Sequence, residues 1–165
     1  MSAIISLCGK YRYRLERDCG LPFEGSKVFA YFGINPSTAD ATIDDATVRK
    51  WRGFTLRNGG HRFIVGNMFA YRSTDPDALK YQDDPFGPQW LEHLNSIIAD
   101  ADVLVPCWGR LNKMPKDLRG APVQLLATLL RSGKPVLHFG VTGCGQPMHP
   151  LMLGYDTPLI PWVTK

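Results

Sequence analysis

The run Val28-Phe29-Ala30-Tyr31-Phe32-Gly33-Ile34 carries no charge and no small polar side chain. A strand with one wet face alternates apolar and polar residues, whereas a continuous apolar run belongs to a strand covered on both faces, the situation of a parallel sheet between helices. The run stops abruptly in Asn35-Pro36-Ser37-Thr38-Ala39-Asp40, a turn of small and polar groups. From here strand and helix patterns alternate: strand 28–34, helix 45–58, strand 62–68, helix 88–99, strand 102–107, helix 122–132, strand 135–140. Asp44 and Asp45 stand where helix N-caps are favoured, and Gly59-Gly60 and Ser132-Gly133 where helices stop. Such alternation predicts an α/β fold with right-handed crossovers. We expect a three-layer α/β/α domain with a four-stranded parallel sheet in the order 2-1-3-4. Upstream, Tyr11, Tyr13 and Leu15 alternate with Arg12, Arg14 and Glu16, and Ile4 to Leu7 can pair with them across Cys8-Gly9-Lys10. This adds an N-terminal β-hairpin at the sheet edge.

At 165 residues the chain reads as a single domain, 1–165. A hydrophobic fraction of 44% and a charged fraction of 21% are those of an ordinary globular protein. No apolar run approaches the ~20 residues of a membrane span, and Met1 to Cys8 lacks the basic start of a signal peptide. The expectation is a cytoplasmic monomer with no membrane contact. Cys8, Cys19, Cys107 and Cys144 are scattered, with no C-x-x-C pair, so no metal and no cofactor is expected. A net charge of +4 permits a polyanionic partner without requiring one.

The predicted topology gathers four segments at the carboxyl edge of the sheet, where open α/β sheets bind ligands. They run from Gly33 to Asp40, Asn67 to Asp75, Cys107 to Lys113 and Val141 to Leu153. Asn67 ends an apolar strand with a primary amide, whose acceptor and two donors can read a base edge. His149 stands between Pro147-Met148 and Pro150 in a loop of restricted backbone, where a neutral imidazole can donate to an oxyanion. Each has a plainer reading. Asn35 can cap its own turn, Asn67 and His149 can serve neighbouring loop amides, and Asp44, Asp45 and Thr47 can simply start a helix, although either aspartate can also reach the crevice as a base. Trp51 and Phe54, three apart on a helix, fit a core as well as a stacking platform. Cys107, inside an apolar strand end, reads as buried.

Gly33-Ile34-Asn35-Pro36 resembles the first motif of the mismatch-specific uracil/thymine branch of the uracil-DNA glycosylase superfamily. His149-Pro150 followed by Leu153 resembles its second motif, and Asn67 and Trp108-Gly109 have counterparts there. Over nearly the whole chain, Asn35-Pro36-Ser37-Thr38-Ala39, Asp45-x-Thr47, Asn67-x-Phe69-Ala70-x-Arg72-Ser73-Thr74-Asp75-Pro76, Trp108-Gly109 and His149-Pro150-Leu151 resemble the domain-of-unknown-function 1643 family. The glycosylase resemblance implies a uracil-DNA glycosylase-like fold and excision of a uracil-like or modified pyrimidine from DNA. It implies Asn35 as the residue that orients water and His149 as the group that stabilises the departing base. Gly33, Asn67, Trp51, Phe54 and Trp108 then bind the base. Ser37, Thr38, Arg72, Ser73, Arg110, Met152 and Leu153 contact DNA. Two departures bear on mechanism: Asn35 stands where the fastest glycosylases have an aspartate, and Leu151-Met152 replaces a Ser-Pro whose serine contacts phosphate. The rival expectations are a non-catalytic module that binds a nucleic acid, free nucleotide or nucleobase, and a hydrolase of small nucleosides or nucleotides.

Overall fold

The computed structural model describes every residue except Thr38, Asp40, Ala41, Thr42, Thr164 and Lys165, and the side chain of Lys113. Strand β1 (Ser2–Ile5) and strand β2 (Arg12–Asp18) form an antiparallel hairpin. Strand β3 (Lys27–Gly33), helix α1 (Ala46–Arg57), strand β4 (Gly60–Asn67), helix α2 (Trp90–Asp100), strand β5 (Val103–Pro106) and helix α3 (Ala121–Arg131) follow. Two-residue strands β6 (Leu137–His138) and β7 (Ile160–Pro161) pair with each other. The main sheet has five strands in the order β1-β2-β4-β3-β5. Strands β4 and β5 flank β3 in parallel, and the hairpin joins antiparallel through β2 against β4.

The uninterrupted apolar run of β3 has the predicted consequence. Because successive residues face opposite sides, Ala30 and Phe32 pack with Ile64 and Leu104 under Leu94 and Ile97 of α2 and Leu125 and Leu129 of α3. Phe29 and Tyr31 pack with Phe63, Val65 and Val103 under Val48, Trp51 and Phe54 of α1. The sheet thus lies between helices on both faces. The chain moves from β3 out to β4 and back across to β5, so two crossovers of one hand place α1 and α2 on opposite faces. Helix boundaries follow local chemistry: Asp45 caps α1 by accepting from the Val48 amide at 2.8 Å, and Gly59 leaves the helix with φ +74°.

Two expectations need correction. The order 2-1-3 holds for β4, β3 and β5, but the fourth parallel strand does not form. Residues 135–140 supply only β6, joined to β5 through the single parallel bridge between Leu104 and Val136. Pro135 has no amide to donate, Gly140 turns the chain at φ +108°, and the Val136 carbonyl is taken by the Trp162 amide at 2.8 Å. Nor is β2 half-wet as its alternation implied. It lies inside the sheet, with Arg12, Tyr13, Arg14 and Leu15 all buried. Its charges are paired, Arg14 with Glu16 at 2.5 Å and Asp100 at 2.7 Å, and the fully buried Arg17 with Asp44 at 2.6 Å.

Candidate functional site

The carboxyl ends of β3, β4 and β5 open into a crevice of about 610 Å³. Strands β3 and β5 are neighbours whose connections leave in opposite directions, and such a switch point parts the loops above it. Gly33 to Ser37, Ser73 to Pro76, Trp108 to Asn112 and the loop carrying His149, Leu151 and Met152 bound the crevice, with Asp45, Thr47 and Trp51 from the start of α1. A second hollow of about 380 Å³ between α2 and α3 is lined by Met68, Phe86, Trp90 and neighbours and holds no titratable side chain. The crevice, by contrast, is bounded by Arg12, Asp45, Arg110 and His149.

The loops after β3 and β4 are sewn together by their backbones and by Asn35. Its side-chain amide nitrogen donates to the carbonyl oxygens of Ser73 at 2.8 Å, Pro36 at 3.3 Å and Tyr71 at 3.4 Å. The Oδ1 acceptor has no partner among the described residues. Asn67, at the end of β4, is 7% exposed, and neither end of its amide is hydrogen-bonded to a described residue. Its amide atoms open to the crevice, where a ligand or water can pair them. Gly33 makes the room: a Cβ there would lie 2.9 Å from the Asn67 Oδ1. From behind, the Trp90 indole holds the Asn67 carbonyl at 3.0 Å.

His149 enters from the opposite wall. Its Nδ1 accepts from the Leu151 amide at 3.2 Å, so the neutral ring carries its proton on Nε2. Burial pushes its pKa below the ordinary histidine value, opposed in part by the Asp45 carboxylate. A neutral imidazole with a free N–H results. The backbone reaches this position because Gly109, at φ +77°, lets the loop after β5 pass under His149, where a Cβ would meet the His149 Cβ at 3.0 Å. Trp108 also lines the crevice, though its indole N–H is taken by the Gln146 side chain at 2.8 Å. Asp45 keeps both oxygens engaged, Oδ1 with the Val48 amide and Oδ2 with the Ser37 hydroxyl at 2.7 Å. Asp44 turns away into ion pairs with Arg17 and Arg52. Cys107 is buried, its thiol pushed up to about 12 by that burial, which removes it as a nucleophile. No His, Cys, Asp and Glu grouping among the described residues could hold a metal ion.

The profile of a family described as a protein of unknown function (DUF1643) matches residues 12–151. The chain belongs to the DUF1643 family. No curated protein and no solved structure matches it. The matched DUF1643 segment contains every residue bounding the crevice except Met152, and it begins at Arg12, itself part of the crevice wall.

Of the residues expected in the site, Gly33, Asn35, Ser37, Trp51, Asn67, Ser73, Trp108, Arg110, His149 and Met152 all bound this one crevice. Three others do not. Phe54 is 0% exposed, packed on Phe139 at 4.4 Å and Tyr155 at 5.2 Å, so it is core and no platform for a base. Arg72 lies against the hairpin turn, its guanidinium on the Gly9 carbonyl at 3.4 Å. Leu153 packs on the α1 face of the core, its carbonyl held by Lys50 at 2.6 Å, leaving Leu151 and the 89% exposed Met152 on the rim. Thr38 lies outside the described residues. Sequence reasoning missed Arg12, which is 3% exposed and donates to the Ala39 carbonyl. Its place in an alternating strand marked it as a solvent-facing residue, and no local signal says otherwise. No helix among the described residues is long and apolar enough to cross a membrane.

Proposed function

We propose that the crevice receives a uracil-like or modified pyrimidine base turned out of a DNA strand and hydrolyses its N-glycosidic bond. Asn67 carries this reading: its amide, with no hydrogen bond to a described residue, opens to a crevice that also holds a neutral imidazole N–H. An amide presents adjacent donor and acceptor groups, the complement of a pyrimidine edge. The motif resemblance to uracil-DNA glycosylases, in Gly33-Ile34-Asn35-Pro36 and His149-Pro150, supports the same reaction and a fold of that type.

In this scheme Asn67 reads the base and Trp51 walls the pocket. Asn35 holds water through its free Oδ1, and the Nε2 proton of His149 stabilises the negative charge that develops on the base. Extrusion of the nucleotide costs a few kcal/mol, least for a mispaired or damaged base, and Leu151 and Met152 at the rim can enter the space it leaves. The protein works as a monomer without a cofactor.

One observation favours a small nucleoside or nucleotide instead. Among the described residues bounding the crevice, Arg110 is the single exposed basic side chain.

Incubation with single- and double-stranded oligonucleotides carrying uracil, hydroxymethyluracil, mismatched thymine or hypoxanthine, and with the free nucleosides, decides between them. Release of free base, read by chromatography, is the expected result. Asn67→Asp, which loses the amide donor and gains a charge, should change which base is accepted. Binding without release identifies a non-catalytic module, and neither binding nor release overturns the proposal.

A further inference from the structure

We infer that Asp45 is the catalytic base of this site, the group that takes the proton of the attacking water; the assignment rests on the glycosidic reading above. A proton acceptor beside the water speeds hydrolysis, and the titratable side chains bounding the crevice among the described residues are few: Arg12, Arg110, His149 and Asp45. Two are guanidinium ions, which cannot accept a proton. His149 has spent its acceptor nitrogen on the Leu151 amide and presents an N–H. Asn35 offers an amide oxygen, which can hold a water but cannot take its proton. Among the described residues, Asp45 alone remains. Each of its oxygens receives one hydrogen bond, from Val48 and Ser37, which occupies two of about four lone-pair positions.

Helix capping by itself would explain an aspartate at this position. Asn67, 7% exposed and with an amide that has no hydrogen bond to a described residue, lines the same crevice and independently points to a ligand there. Balanced, the step runs as follows. The C1′–N bond breaks and its electron pair stays on the base, held by His149. Water oxygen bonds to C1′ and its proton passes to the Asp45 carboxylate. The base anion is then protonated from Asp45 through solvent, leaving free base, a sugar hydroxylated at C1′ and the original carboxylate.

The test uses Asp45→Asn, with Asp45→Ser as a second variant, because both replacements are good N-caps and keep α1 closed. Single-turnover release of base from the oligonucleotides and nucleosides above should fall roughly 100-fold or more in both, with substrate affinity unchanged. A rate within about threefold of the unmutated protein overturns the role of Asp45 and leaves the glycosidic reading standing. No base released by the unmutated protein overturns that reading and this assignment together. A readout independent of activity is the NMR titration of His149. Its midpoint should move to lower pH in Asp45→Asn as the carboxylate's field is lost, and an unchanged midpoint overturns the placement of Asp45 beside the reacting groups.

Discussion

His149 shows how one side chain is tuned by its surroundings. The Leu151 amide sets the tautomer, burial disfavours the charged ring, and Asp45 returns part of the lost basicity. The unfolded chain protonates this histidine near pH 6.5, while the folded protein resists protonation until lower pH. Stability from this residue is therefore present above about pH 6.5 and is lost as the pH falls below it. Thermal unfolding should show that His149→Gln loses less midpoint temperature between pH 7 and pH 5 than the unmutated protein does. In base release the same substitution should slow single turnover roughly 100- to 1000-fold, the usual effect of removing a donor aimed at developing charge. Equal pH profiles for the two proteins would show that the imidazole is not held neutral by the fold.

Among the elements, the loops depend on backbone that only glycine supplies, and two glycines with the same torsion should answer differently to alanine. Gly133, past the end of α3, has φ +76° and nothing within 4 Å of an added Cβ. Gly109 has φ +77° and the His149 Cβ in the way at 3.0 Å. Gly133→Ala should cost roughly 1–2 kcal/mol for the left-handed backbone alone. Gly109→Ala should cost more, up to about 3 kcal/mol, and should also slow base release by displacing His149. Urea unfolding of the two variants makes the comparison, and equal losses would mean that the two loops do not press on each other. Helix α1 divides its own residues in a related way. Trp51 and Phe54 share a face, yet Trp51 lies at the crevice, stacked on Tyr31 with ring centroids 5.7 Å apart, while Phe54 lies under Phe139.

For the whole molecule, the distribution of charge bears on the substrate. The net charge is +4, and of the nineteen Lys and Arg residues three, Arg12, Arg14 and Arg17, are buried in β2. Among the described residues, Arg110 at the crevice and Lys116 and Arg119 on the turns beyond Asn112 are exposed. If these three neutralise about three phosphates, the logarithm of duplex affinity should fall against the logarithm of salt with a slope near −2.7. Binding titrations over a salt series measure it, and affinity for a nucleoside with none for DNA at low salt would assign the crevice to small substrates. By itself the sequence determined the strand and helix alternation, the caps at Asp45 and Gly59, the covering of β3 on both faces and the carboxyl-edge loops from which the crevice is built. These are readable because periodicity and capping chemistry act within a few residues. Only the tertiary structure decided that β2 lies inside the sheet, that residues 135–140 give up the fourth parallel strand to pairing with β7, that Arg12 forms crevice wall, and that Phe54 is core. Each of those outcomes depends on a partner distant in sequence, and no local pattern records which partner a chain will meet.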